Sequence, residues 1–209
     1  MAPTVMNDPK LQLKGHTYWV RCATWSPDGS LLATGCADKS LRVFNAEGAE
    51  VYKVAHPDWV WCVAFSYTTK KKRIASGGLD GCVRLMEAET GREILQMKDH
   101  SSTVNAVTFN ADGSKVLSGS YDKTAKLYAV SNGKTLLTLD GQNTPVLSVA
   151  FTAAEDIITG TARGEVRVSD LTGKTLQLLQ AHDGPLLSLS VSADGGMLAS
   201  GGGDKIAHV

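Results

Sequence analysis

A unit of about 42 residues repeats five times along the chain, and this period limits the folds open to it more than any other feature. The segments LLATGCADKSLRVF from Leu31, RIASGGLDGCVRLM from Arg73, KVLSGSYDKTAKLY from Lys115, DIITGTARGEVRVS from Asp156 and MLASGGGDKIAHV from Met197 align without gaps. Each reads apolar, small, Ser or Thr, Gly, two variable residues, usually Asp, then an alternating stretch. The Asp position falls at 38, 80, 122, 163 (an Arg) and 204. Upstream of it stand His16, His56, His100, Gln142 and His182, each followed by an apolar run: WVRCATW, WVWCVAF, TVNAVTF, PVLSVAF and PLLSLSV. SPDG, NADG and SADG, at Ser26, Asn110 and Ser192, are type I turn sequences with Gly where positive φ is needed. A second turn carries Gly48, Gly91, Gly133 and Gly173, followed by short segments such as EVYKV and KTLLTL. No 3.6-residue periodicity occurs, so each unit predicts four short antiparallel strands.

Four strands per unit of this length is the period of a β-propeller blade. A run such as VLSVAF is apolar at nearly every position, as befits a sheet covered on both faces. The outer segments LQLK, EVYKV and KTLQLL alternate and carry charge, as an edge strand should. The predicted class is therefore all-β, with residues 1–9 a tail and 10–209 the propeller. Blades are expected over 18–54, 59–98, 103–140, 145–180 and 185–209.

The Gly15–His16 pair, the Ser/Thr–Gly pair before the Asp, and the Asp six residues before an aromatic position resemble the WD-repeat family of β-propellers. The resemblance covers about Leu11 to Val209. It implies hydrogen-bonded structural sets: His16–Thr34–Asp38, His56–Ser76–Asp80, His100–Ser118–Asp122 and His182–Ser200–Asp204. The fourth unit departs, with Gln142, Thr159 and Arg163. No Trp–Asp dipeptide occurs, the Trp position being Phe44, Met86, Tyr128 and Ser169. A carboxylate that fixes the imidazole tautomer and a hydroxyl on the other ring nitrogen satisfy one another. Four copies of one His–Ser–Asp grouping, without a GxSxG turn, argue for buried polar staples and against a hydrolase.

The resemblance also implies that one end of each blade docks partners, through the residue before the inner strand, the residue two further on, and the residue before the Asp. Here these are Trp19, Arg21 and Ala37; Trp59, Trp61 and Leu79; Thr103, Asn105 and Tyr121; Pro145, Leu147 and Ala162; Pro185, Leu187 and Gly203. Trp, Tyr and Arg dominate binding hot spots. Trp19, Arg21, Trp59, Trp61, Leu79, Asn105 and Tyr121 are accordingly the candidate partner-binding residues, suited to an apolar or basic-aromatic peptide. Trp25, at the Phe position of the other units, is expected in the core.

The inner positions Arg21, Trp61, Asn105, Leu147 and Leu187 are a poor set for acid–base chemistry, so an enzyme is not expected. Twenty-one basic residues balance twenty-one acidic ones, which weighs against nucleic acid as the main partner. An RNA-binding reading would use the basic loop Lys70–Arg73 and the tryptophans. Cys22, Cys36, Cys62 and Cys82 lack zinc-ligand spacing and read as small thiols buried in a reducing compartment, without metal or cofactor. No stretch approaches the ~20 apolar residues of a membrane span. The expectation is a cytoplasmic or nuclear interaction scaffold within a multiprotein complex.

Two arrangements compete. Leu11–Lys14 matches an outermost strand and would complete the last unit, closing a five-bladed ring. Alternatively the five units form an arc of a seven-bladed propeller, as a fragment of a larger protein. The strand count leans towards the ring.

Overall fold

A computed structural model describes residues 11–68, 71–192 and 195–209, so the tail 1–9 and Lys70 of the basic loop lie outside the described residues. The described chain is all β. Strands β1 (Val20–Trp25), β2 (Leu31–Cys36), β3 (Ser40–Asn45) and β4 (Glu50–Ala55) form the first sheet. β5 (Val60–Phe65), β6 (Arg73–Gly78), β7 (Val83–Glu87) and β8 (Glu93–Met97) form the second, and β9 (Val104–Phe109), β10 (Lys115–Ser120), β11 (Ala125–Ala129) and β12 (Thr135–Leu139) the third. The fourth has β13 (Val146–Phe151), β14 (Ile157–Thr161), β15 (Glu165–Ser169) and β16 (Thr175–Gln180). The fifth has β17 (Leu186–Val191), β18 (Leu198–Gly202) and β19 (Ala207–His208). Every sheet is antiparallel and ordered as the chain runs. The expected turn glycines Gly29, Gly113 and Gly195 have φ of 70°, 70° and 71°.

Inner strands β1, β5, β9, β13 and β17 pack one on the next, and the apolar cores lie between sheets, not within one. The first gap is filled by Leu41, Val43, Val60, Phe65, Ile74 and Met86. The last holds fewer fully buried residues: Ile158, Val166 and Leu186.

One contact recurs in all four gaps. The branched residue that opens an inner strand projects against a glycine in the second strand of the preceding blade. A Cβ at Gly35 would stand 2.8 Å from Val60 Cγ1, at Gly77 2.5 Å from Val104 Cγ1, at Gly119 2.6 Å from Val146 Cγ1, and at Gly160 2.5 Å from Leu186 Cδ2. All four knobs are wholly buried. Burial of each is worth about 1.5–3 kcal/mol, and any side chain at the glycine would occupy the same space.

The two ends of the series differ from its interior. Val20, the corresponding knob of the first blade, is 51% exposed, and a Cβ at Gly201, the corresponding notch of the fifth, would meet nothing within 4 Å. Among the described residues no packing comparable to the four internal gaps joins β17 to β1. Leu11–Lys14 adopts no strand and does not complete the last blade, which has three strands. Instead Leu11 and Leu13 lie over Gly48 of the first blade. Trp25 is a second correction. It is 53% exposed, where its counterparts Phe65 and Phe109 are buried, because no sheet among the described residues packs on that face of the first blade.

Replacing Gly119 by Val forces two branched side chains into one notch. Urea unfolding should show a loss of about 1–3 kcal/mol.

Candidate functional site

At the end of each blade where the His-bearing loop meets the Asp-bearing turn, two backbone features recur. The residue before the Asp position donates its N–H to the carbonyl of the residue before the inner strand. Ala37 bonds to Trp19 at 2.9 Å, Leu79 to Trp59 at 3.1 Å, Tyr121 to Thr103 at 2.9 Å, Ala162 to Pro145 at 2.9 Å and Gly203 to Pro185 at 2.8 Å. Two of the three expected docking positions are thereby held side by side in every blade. The third sits on a register shift at the second residue of the inner strand: Arg21, Trp61, Asn105, Leu147 and Leu187. A bulge leaves its extra residue out of the ladder and re-aims its side chain.

Beneath these positions lie the polar sets. His16 Nδ1 is 3.0 Å from Asp38 and Nε2 2.7 Å from the Thr34 hydroxyl. His100 makes both contacts at 2.7 Å, to Asp122 and Ser118. His182 lies 3.0 Å from Asp204 and 2.9 Å from Ser200. In a neutral ring the carboxylate holds the proton on Nδ1, and Nε2 accepts from the hydroxyl. The hydroxyls of Ser40 and Thr124 donate to the other carboxylate oxygen of Asp38 and Asp122.

Blade two is a correction. His56 Nε2 meets Ser76 at 2.9 Å, but its Nδ1 has no partner, and Asp80 pairs with Arg84 at 2.6 Å. Cys82 stands here where Ser40 and Thr124 donate to Asp38 and Asp122, and the Asp80 carboxylate pairs with the guanidinium instead. In blade four Gln142 donates to Thr159 at 3.1 Å, while Arg163 stands outside the set.

Burial pushes His100 below the ordinary imidazole value and outweighs the opposing pull of Asp122. His56 is lowered by burial and then by Arg84. Burial tends to raise Asp38 and Asp122, but hydrogen bonds from Ser40 and His16, and from Thr124 and His100, prevail and hold both below the usual carboxylate range.

Above the sets of the first two blades runs a row of aromatic rings. Trp19 lies 5.2 Å from Tyr18, Tyr18 5.9 Å from Trp59, and Trp59 6.3 Å from Trp61, these last two nearly parallel at 6°. The Arg21 guanidinium covers the Trp61 ring at 4.0 Å. Trp19 is 62% exposed, Tyr18 is exposed, and Trp59 and Trp61 are half-buried. The structure thus gathers Trp19, Arg21, Trp59 and Trp61, with Leu79 bonded to Trp59 through its backbone. The Asn105 amide donates to Val146 O at 2.9 Å and ties blade three to blade four, with its second N–H and its Oδ1 left over. Tyr121 is exposed but makes no ring contact with the row among the described residues. Tyr18 was missed because it follows the His by two residues, where the other units carry Asp58, Ser102, Thr144 and Gly184.

The basic loop follows β5 and therefore stands at the opposite end of the blades. Lys72 pairs there with Asp28, and Arg73 is half-buried. A cavity of about 500 Å³ lies at that end too, lined in part by Phe109, Phe151, Val191 and Tyr67. The four cysteines are free thiols. Burial raises all of them, Cys22 to about 12. His16, Cys36 and Asp38 place ligand-type atoms within 4.8 Å of one another, but His16 and Asp38 are already bonded together.

The model of the family described as "WD domain, G-beta repeat" matches residues 7–45, 49–86, 91–129 and 173–209. The chain belongs to the WD-repeat family. The unmatched interval holds most of blade four, whose polar set is the divergent one. Among relatives of this WD-repeat chain, "Telomerase protein component 1" of Mus musculus is 33% identical over 102 residues, which is 46% of this chain and 4% of that protein. "Guanine nucleotide-binding protein subunit beta-like protein" of Encephalitozoon cuniculi is 28% identical over 129 residues, 49% of this chain and 38% of that one. "WD repeat-containing protein SL1-17" of Schistosoma mansoni is 26% identical over 196 residues, 93% of this chain and 51% of that protein. The chain spans about half or less of the length of these relatives. WD-repeat propellers are in general scaffolds for protein interaction and are generally not enzymes.

His56 and His100 favour the neutral ring when folded, so their contribution is full above the unfolded value and falls as pH drops below about 6.5. His56→Gln should copy the Gln142 bond and cost under about 1 kcal/mol at neutral pH. His100→Gln removes the imidazole donor from the Asp122 carboxylate and should cost about 1.5–3 kcal/mol. Denaturation at about pH 7.5 and about pH 5.5 should show the parent losing stability on acidification and His56→Gln losing less.

Proposed function

We propose that this chain captures an extended segment of a partner protein on the aromatic row of its first two blades, as one component of a multiprotein complex. The observation that carries the reading is the run Trp19–Tyr18–Trp59–Trp61 ending in Arg21. Four large rings bury much area with few rotors, and their N–H and O–H groups still hydrogen-bond at the edge. No carboxylate among the described residues pairs with Arg21, whereas Lys39 holds Asp58 nearby at 3.4 Å. A cation already seated on Trp61 disfavours a basic ligand. We infer an apolar segment that brings a carboxylate to Arg21.

RNA stacking on the same rings finds less support, since Lys72 and Arg73 stand at the far end of the blades and Lys72 is neutralised by Asp28. Names among the relatives, such as "U3 small nucleolar RNA-associated protein 15 homolog" of Xenopus laevis, accord with life in an assembly but do not choose the partner.

Trp59→Ala combined with Trp61→Ala should weaken capture of co-purifying proteins at least about 10-fold, with circular dichroism and the unfolding midpoint little changed. Retention of the same partners by the double variant would place the site elsewhere. Binding that collapses steeply with added salt would point to nucleic acid instead.

A further inference from the structure

Blade one carries a thiol where the other blades carry none. The position two before the Asp is Gly78 in blade two, Ser120 in blade three, Thr161 in blade four and Gly202 in blade five, but Cys36 in blade one. Its sulfur sits in a serine's place. The Cys36 thiol donates to Tyr18 O at 3.3 Å and accepts from the Asp38 N–H at 3.3 Å. The Ser120 hydroxyl does the same with Ser102 O at 3.2 Å and the Asp122 N–H at 3.1 Å.

The thiol thereby joins a histidine and a carboxylate that are already together. His16 Nδ1, Cys36 Sγ and a carboxylate oxygen of Asp38 lie within 4.8 Å of one another, and no second trio of this kind is found among the described residues. The His16–Asp38 bond is one proton held between two ligand atoms 3.0 Å apart. Metal bonds of about 2.0–2.2 Å set tetrahedral neighbours about 3.4 Å apart, so an ion can replace that proton with little movement. Ser40 holds the second carboxylate oxygen through its hydroxyl and its backbone N–H, which orients Asp38 beforehand.

The surroundings fit the exchange. His16 Nε2 is 2.7 Å from the Thr34 hydroxyl, which reaches Arg42 O at 3.3 Å. With an ion on Nδ1 the ring proton stands on Nε2, Thr34 accepts it, and its own hydrogen goes to the Arg42 carbonyl. An outer-shell acceptor of this type fixes the tautomer of a ligating imidazole. One thiolate and one carboxylate also neutralise a doubly charged cation. That balance matters in a nearly dry place, where Cys36 is wholly buried and the His16 and Asp38 side chains are 8% and 6% exposed.

We propose that blade one binds a zinc-type divalent ion through His16 Nδ1, Cys36 Sγ and Asp38 Oδ2, with water in the fourth position. The Cys36 proton leaves to solvent as the ion enters, and no electron is transferred. Thiolate and imidazole select zinc or cobalt over calcium or magnesium. The site does not involve the aromatic rings, so this proposal and the peptide reading can fail separately.

Cobalt(II) is the probe, because a thiolate bound to it gives a near-ultraviolet charge-transfer band that oxygen and nitrogen ligands do not. The 209-residue chain, with its thiols kept reduced, should develop this band until one ion is bound per chain, and added zinc should abolish it. Cys36→Ser copies Ser120 of blade three and should lose the band. His16→Gln copies Gln142 of blade four and should weaken cobalt binding by more than the about 10–100-fold that loss of an outer-shell partner alone brings. Cys82→Ser, which alters the thiol of blade two, should leave band and affinity unchanged. All three variants should keep the parent's circular dichroism, since each introduced residue has a native counterpart in the repeat or replaces a thiol by a hydroxyl. A parent without the band overturns the proposal. So does a band that persists in Cys36→Ser or disappears in Cys82→Ser, or an affinity unchanged by His16→Gln.

Discussion

A branched side chain seated against a glycine of the neighbouring sheet is the contact on which this architecture rests. The glycine has no Cβ, so the knob can approach the backbone of the preceding blade and exclude water from the innermost part of the gap. The rest of each core fills in around that point, Val63 and Phe65 in the first gap, Val107 and Phe109 in the second. Because each blade buries only its two neighbours' faces, stability accrues gap by gap, as in other repeat arrays. The fourth gap is thinner, with only Ile158, Val166 and Leu186 fully buried in its cluster.

The polar sets act at the other end of the length scale. They do not drive burial. They anchor the loop that enters each blade to the turn that leaves its second strand, and they do so with groups that satisfy one another in a nearly dry place. Blade two shows how little is needed to rewire one. Arg84 takes the Asp80 carboxylate, whereas blade five keeps its His182–Asp204 contact with Ile206 at the position of Cys82. The His56–Ser76 bond survives alone. Blade four reaches a comparable result with an amide in place of an imidazole.

The anchored end also displays the row of aromatic rings, for a reason rooted in the backbone. The bulge at the second residue of every inner strand turns one side chain out of the ladder, and the cross-loop hydrogen bond holds two more beside it. Blades one and two place tryptophans and an arginine on this frame. Tyr18 then bridges the two blades by ring contact with Trp19 and Trp59. The same frame in blades four and five carries Pro145, Leu147, Pro185 and Leu187, which offer area but no polar handle.

The period, the four-strand unit, the turn glycines and three of the four polar sets were legible in the residues, because each depends on contacts within about 42 positions that recur in register. So was the gathering of Trp19, Arg21, Trp59 and Trp61, since adjacent copies of a repeat must place equivalent residues side by side. What tertiary structure alone decided depends on which face meets which. Trp25 and Val20 are apolar residues in an apolar strand, yet they lie open because no sheet among the described residues packs on their face. Asn105 looks like a free amide in the sequence but spends one N–H on a carbonyl of the next blade. Asp80 chose between a histidine and an arginine that are both within reach. Local pattern specifies a blade, whereas only the stacking of blades determines which of its surfaces are left to meet anything else.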